Sequence, residues 1–316
     1  MSVDKKYIDY FVNVTSKAAL SASYFVGKKD KIAADKAATD SMRSELNKID
    51  MNGKIVIGEG ELDEAPMLYI GEMLGTKNGP DLDIAVDPLE GTNFAANNLP
   101  GALSVIAISE KNNLFNAPET YMDKIAVGQN IPKDVIDLDF SIKKNIQNLA
   151  DIKNKQPENL TACILDRPRH KKKIEELKSL KVKLKLITDG DVSGALLVSD
   201  EKYKVDIFLG IGGGPEGVLA ASALDSFNCQ FQGRFFFTEE KDIERAKEMG
   251  IKDLDKKYNL SEIVTGDSIF CATGITTGDL LKGIRINNNN YISETLVTHK
   301  SSNLKKIIRS ENILTI

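Results

Sequence analysis

The chain has 316 residues, 41% apolar and 28% charged, enough to bury one large core or two smaller ones. Forty-two Lys and Arg stand against 46 Asp and Glu, and the resulting charge of −4 excludes the basic excess expected of a nucleic-acid-binding surface. Two histidines exclude a multi-histidine zinc site, and three cysteines without CxxC spacing (Cys163, Cys229 and Cys271) read as buried thiols in a reducing compartment. From the N-terminus, residues 1–11 lack the apolar core of a signal peptide, and no apolar run reaches the roughly 18 residues of a membrane helix. The expectation is a cytoplasmic globular protein with no membrane or nucleic-acid partner. Ile8, Phe11, Val12, Thr15, Ala18, Ala19, Ala22, Phe25 and Val26 recur at steps of three and four, which predicts a helix ending at Gly27. A second helix is predicted over 34–49, with Ala34, Ala38, Met42 and Leu46 inward and Asp35 in its first turn, where the helix dipole favours a carboxylate.

A β-branched strand over 54–57 stops at Gly58-Glu59-Gly60-Glu61, and Pro66 opens a helix expected to run to about Leu74. Strands follow over 83–86 and 103–108. Residues 130–158, rich in Asp, Lys and Asn, read as a peripheral hairpin and helix or as a boundary between two halves. Beyond them strands are expected over 161–165, 182–186 and 205–209. Helices alternate with them over 171–180, after Asp189-Gly190-Asp191 through Leu197, and after Pro215, and shorter strands lie around 268–272 and 294–298. This predicts an α/β protein with an α+β half over 1–158 and an α/β half over 159–316.

Acidic residues gather where the predicted strands end: Glu59, Asp87 with Glu90, Asp189 with Asp191, and Glu216. Ligand sites in open α/β sheets form at such strand ends. The densest segment is Asp83-Ile84-Ala85-Val86-Asp87-Pro88-Leu89-Glu90-Gly91-Thr92. Two carboxylates in one stiff turn suit a hard divalent ion, and the N–H groups at Gly91 and Thr92 suit a phosphate. The blander reading is that Asp87 and Glu90 cap a following helix.

This segment resembles the Asp-Pro-(Ile/Leu)-Asp-Gly-Thr/Ser signature of the lithium-sensitive, metal-dependent sugar and inositol phosphatases. With Glu90 in place of the second Asp, it is similar to class II, GlpX-type fructose-1,6-bisphosphatases. Further segments match that family in order: residues 30–35, 57–61, 63–67, 167–170, 189–191, 212–217 and 272–276. Asn93 and Asp166 depart from the pattern.

The resemblance implies the layered α-β-α-β-α sandwich of the sugar phosphatase superfamily, in two subdomains with the active site between them. It also implies hydrolysis of fructose 1,6-bisphosphate, or alternatively of sedoheptulose 1,7-bisphosphate or an inositol phosphate. Asp35, Glu59, Asp87, Glu90 and Glu216 would ligate two or more Mn²⁺ or Mg²⁺ ions. Thr92, Lys31 and Asp63 would be the catalytic group, and Glu90, Gly91 and Thr92 would cradle the 1-phosphate. Tyr121, Arg167, Pro168 and Arg169 would hold the distal phosphate, while Asp189, Gly190, Asp191 and Gly213 would line the sugar site. The partner implied is a phosphosugar, and the assembly a homodimer or homotetramer.

Taken singly, each residue has a plainer use: Asp35 and Glu59 as helix caps, Lys31 as a solvated lysine, Arg167 and Arg169 as the basic start of a helix. Two readings of another class stand beside the hydrolase. Gly212-Gly213-Gly214-Pro215-Glu216-Gly217 satisfies G-x-G-x-x-G, with Glu239 after the next strand, as in a dinucleotide-binding oxidoreductase. A phosphosugar-binding module without catalysis is the third; acids around a phosphate argue against it.

Overall fold

The N-terminal stripe of apolar residues folds as helix α1 (Ile8–Ser23), with Phe11, Ala18, Ala19 and Ala22 fully buried. The computed structural model describes residues 3–58 and 68–314. Helix α2 (Lys31–Leu46) starts before Ala34 because Asp30 caps it, its carboxylate accepting from the Ala33 N–H at 2.9 Å. Asp35 therefore lies one turn inside the helix, out of reach of the capping role its acidity suggested.

The chain continues through β1 (Asn52–Ile57), β2 (Met73–Leu74), β3 (Asp81–Glu90), the short helix α3 (Thr92–Ala96) and β4 (Leu103–Glu110). The helix expected over 66–74 begins outside the described residues, and its described part is not helical. Gly71 takes φ +97°, and Met73 and Leu74 pair antiparallel with Lys54 and Gly53. Next come β5 (Tyr121–Val127), α4 (Ile142–Ile152), β6 (Thr161–Leu165), α5 (Lys171–Ser179), β7 (Lys183–Ile187) and α6 (Asp191–Leu196). They are followed by β8 (Ile207–Gly213), α7 (Gly214–Ser226), β9 (Gln230–Phe236), α8 (Glu240–Glu248), β10 (Lys257–Asn259) and α9 (Leu260–Ile263). The last strands are β11 (Ser268–Gly274), β12 (Arg285–Asn287), β13 (Asn290–His299) and β14 (Leu304–Ile313).

These elements form a mixed α/β protein with two sheets, as expected. The division into units is not the expected break at 158/159. One unit combines Met1–Phe115 with Val264–Ile316, and the other is Asn116–Ile263. Strand pairing sets this boundary: β11 inserts between β4 and β13, so the C-terminal strands complete the N-terminal sheet. A local pattern reports that a strand exists and is silent about a partner more than a hundred residues away.

In the first unit the strand order is β12-β13-β11-β4-β3-β1-β2, with β14 also paired to β13. Helix α1 packs on β11, β13 and β4, and α2 packs on β3 and on α3. Their shared core holds Phe11, Met42, Ile84, Ile106, Ile108 and Cys271. In the second unit the order is β10-β9-β5-β8-β6-β7. Alternation along β5 sorts this sheet's two faces. Ile125 and Val127 join Ile146 and Leu149 of α4 and Leu177 of α5 in one core. Lys124 instead meets Asp191, the first residue of α6.

Strand β8 runs further than expected, through Gly210 to Gly213. Gly210, Gly212 and Gly213 stay in the ladder because Lys124, Met122 and Tyr121 of β5 pair with them, with Asp123 opposite Ile211.

Candidate active site

The first unit supplies the acidic turn. Strand β3 is irregular between Asp87, opposite Val105, and Glu90, opposite Leu103. Pro88 and Leu89 thus occupy the length of one residue, a bulge that suits a proline with no N–H to donate. Three residues apart on a regular strand, Asp87 and Glu90 would face opposite sides. Val105 and Leu103 share a face, so the extra residue turns both carboxylates to the same side of the sheet. The capping reading fails: α3 is capped by the backbone of Gly91, with no side-chain cap bond. Gly91 sits at φ +80°, ψ +50°, and a Cβ there would come within 2.8 Å of the Phe94 ring, so the turn requires glycine. Thr92, half-buried, opens α3 directly after it.

Asp35 stands on α2, the helix that packs against both β3 and α3. One carboxylate oxygen on each of Asp35, Asp87 and Glu90 is closed off from water. Lys31 is exposed at the first position of α2. Asp83, the first acid of the motif, is structural: it is buried and accepts from the Asn113 N–H at 3.1 Å. Burial raises its pKa, and the backbone N–H bonds oppose that rise. Glu59 and Asp63 lie outside the described residues.

The second unit gathers the remaining site residues around the ends of β5, β6 and β8. Arg169 places its guanidinium 4.8 Å from the Tyr121 ring centroid, and its Nε donates to the Ile211 carbonyl at 2.9 Å. Pro168 begins a single 3-10 turn, Pro168–His170, with Arg167 as its N-cap. Arg167 Nη2 lies 3.6 Å from Asp189 Oδ1, both at the surface. The turn is pinned from beneath by His170, which is fully buried. His170 Nδ1 donates to the Leu165 carbonyl at 2.7 Å, while its Nε2 accepts from the Ile211 N–H at 2.7 Å. Those roles require the neutral ring, and burial holds its pKa below the ordinary value.

Gly190 adopts φ +80° to start α6, and Asp191 follows it, buried against Lys124 Nζ. Lys124 is 1% exposed and also donates to the Gly213 carbonyl at 2.6 Å. Glu216, in the first turn of α7, lies over the same spot. A Cβ on Gly213 would fall 1.8 Å from Glu216 Oε2, and one on Gly212 would fall 2.1 Å from Asp191 Oδ2. Desolvation raises the pKa of Glu216; the Lys124 charge opposes the rise and Asp191 adds to it.

The glycine motif is thereby explained without a nucleotide. The space its missing side chains leave is filled by the carboxylates of Asp191 and Glu216, where a pyrophosphate would be repelled. Lys124 is the residue that pattern reading missed. Its signal was a charged pair, Asp123-Lys124, inside an otherwise apolar strand, and alternation sends Asp123 to Lys173 of α5 while Lys124 goes to the acids.

The donor chemistry suits a hard divalent cation: every expected ligand is a carboxylate, with no sulfur or imidazole among them. Among the described residues, no three His, Cys, Asp or Glu side chains close into a metal cage.

Comparison with known proteins bears on the same residues. Residues 5–312 match the family model described as bacterial fructose-1,6-bisphosphatase, glpX-encoded. The chain is 38% identical to a D-fructose 1,6-bisphosphatase class 2/sedoheptulose 1,7-bisphosphatase of Trichodesmium erythraeum, over 94% of this chain and 93% of the relative. Identity is again 38%, with the same coverage, to the protein of that name from a Synechocystis species. It is 39% to that of Prochlorococcus marinus, over 93% and 92% of the two chains. Among solved structures, extragenic suppressor protein suhB of Bartonella henselae superposes with a TM-score of 0.36 at 10% identity, over 62% of this chain and 74% of that one. The MJ0109 gene product, an inositol monophosphatase-fructose 1,6-bisphosphatase, gives 0.36 at 13% identity, over 63% and 73%.

Proposed function

The chain belongs to the glpX-encoded bacterial fructose-1,6-bisphosphatase family, and from that premise we propose that it hydrolyses fructose 1,6-bisphosphate to fructose 6-phosphate and phosphate. The observation that carries the reading is the family match over residues 5–312, which spans every acidic strand end described above. The names of the relatives favour a second substrate, sedoheptulose 1,7-bisphosphate, which carries both phosphates on a chain one carbon longer.

Asp35, Glu59, Asp87, Glu90 and Glu216 are the proposed oxygen donors to Mn²⁺ or Mg²⁺. A bound divalent ion supplies an acidified water and neutralises charge on the phosphoryl oxygens. The protein's own share is positioning. The bulge turns Asp87 and Glu90 to one side, Gly91 brings the backbone close, and the Thr92 hydroxyl orients the attacking water. Thr92 itself is a poor nucleophile at neutral pH. Lys31 adds positive charge beside the scissile phosphate, and Asp63 is the third residue proposed for the catalytic group. Arg167 and Arg169, the latter braced on Tyr121, receive the distal phosphate as planar donors. Asp189 and Asp191 face the sugar, with Lys124 balancing the charge of Asp191 and Glu216. A homo-oligomeric, cytoplasmic enzyme is part of the proposal; no helix among the described residues is long and apolar enough to cross a membrane.

The deciding experiment measures phosphate release from fructose 1,6-bisphosphate, sedoheptulose 1,7-bisphosphate and inositol 1-phosphate, each with Mn²⁺, Mg²⁺ or EDTA. Metal-dependent release from the bisphosphates alone is expected. Release from inositol 1-phosphate at a comparable rate would remove the distal-phosphate roles of Arg167 and Arg169.

A further inference from the structure

The six-stranded sheet carries a second set of loops at the end away from Arg167 and Gly213. There β6 begins at Thr161, β7 at Lys183 and β8 just after Asp206, while β5 ends at Val127. A cavity of about 680 Å³ opens at that end, within the size range of pockets that take small organic ligands. Its charged lining is unbalanced: Lys153, Lys155, Lys183 and Lys204 against Asp206 and Glu201.

Asp206 is only 7% exposed. It accepts from Lys153 Nζ at 2.6 Å, from Lys155 Nζ at 3.1 Å and from the Thr161 N–H at 2.9 Å. One buried carboxylate thus fixes two ammonium groups in the cavity wall. Lys183 and Lys204 are both exposed, and neither forms an ion pair with the described residues. A local cationic excess stands here in a chain whose net charge is −4. Part of the wall is apolar, formed by Ile152, Val198 and Val205.

We propose that this cavity binds a phosphate monoester dianion whose ring or alkyl body rests on Ile152, Val198 and Val205. Ammonium groups serve phosphate as point charges with three donors each, and four lysines against two carboxylates leave the charge that a dianion matches. An apolar wall has no use for a bare phosphate or a fully hydroxylated sugar, so the body of the ligand is the selective part. The site is independent of the proposed hydrolase reaction and of any metal, because its residues stand at the opposite ends of β6 and β8.

Phenylphosphonate, a dianion with a ring and no hydrolysable ester, is the probe. It is titrated into the full chain in EDTA by calorimetry, with amide shifts followed by NMR. Saturable binding is expected, tighter than for inorganic phosphate, with shifts at Gly128, Ser199 and Val205. The Lys183→Gln/Lys204→Gln pair should weaken it by at least about tenfold, the loss expected from removing charge-assisted contacts. Arg167→Ala should leave it unchanged, and the lysine pair should retain its parent rate of phosphate release. No saturable binding overturns the proposal, as does binding abolished by Arg167→Ala and untouched by the lysine pair. Equal affinity for inorganic phosphate overturns the role given to the apolar wall.

Discussion

Replacing Gly213 with alanine separates positioning from folding at the second unit's acidic cluster. Gly213 has φ −63° and ψ 144°, backbone that alanine adopts without strain. Its added Cβ would lie 1.8 Å from Glu216 Oε2, 2.6 Å from Cδ and 2.8 Å from Oε1. Ordinary contact begins near 3.4 Å, so the carboxylate must retreat by about 1.6 Å. It is the far end of a flexible side chain, and swinging it away costs the fold no more than about 1 kcal/mol, the scale of an altered rotamer. A misplacement of that size in a catalytic constellation costs about a hundredfold in rate. Gly213→Ala should therefore keep its urea midpoint within the range of a surface substitution and lose about two orders of magnitude in metal-dependent phosphate release. Turnover within twofold of the parent would refute the placement of Glu216 in the site. Gly212→Ala is the control with the opposite signature. Its Cβ would strike the Asp191 carboxylate, which Lys124 holds in place, so stability should fall by several kcal/mol as the buried pair is disturbed.

Lys124→Met leaves Asp191 buried without its cation and should cost about 3–5 kcal/mol in urea unfolding; a loss below about 1 kcal/mol would show the pair to be open to water. His170 titrates below its ordinary 6.5 because burial disfavours the charged ring. The unfolded chain then binds more protons on acidification, so this contribution is full above about pH 6.5 and declines as the pH falls further. His170→Gln should flatten that decline between pH 5 and 7 in urea titrations, and an unchanged slope would reassign it to other groups. Thr92→Ala should lower kcat with KM nearly unchanged, since a water-orienting hydroxyl acts only in the transition state. Arg167→Ala should raise KM for the bisphosphate more than for monophosphates, and an equal rise on both would move Arg167 out of the distal site.

Much of this protein could be read from local order. The stripe from Ile8 to Ala22, the alternation after Thr161 and the acids at strand ends are each set by neighbours within a few residues, which is the range over which helix and strand periodicity act. Family resemblance was legible for the same reason, since its motifs are short runs such as Asp87-Pro88-Leu89-Glu90-Gly91-Thr92. Four things required the tertiary structure. The unit boundary depends on β11 pairing with β4, a contact between residues more than 150 apart. The common facing of Asp87 and Glu90 depends on a bulge, visible only in the register against Leu103 and Val105. The purpose of Gly212 and Gly213 depends on where Asp191 and Glu216 place their carboxylates, and the importance of Lys124 on which face of β5 it occupies. Periodicity fixes what a segment forms, whereas long-range register decides what its side chains meet.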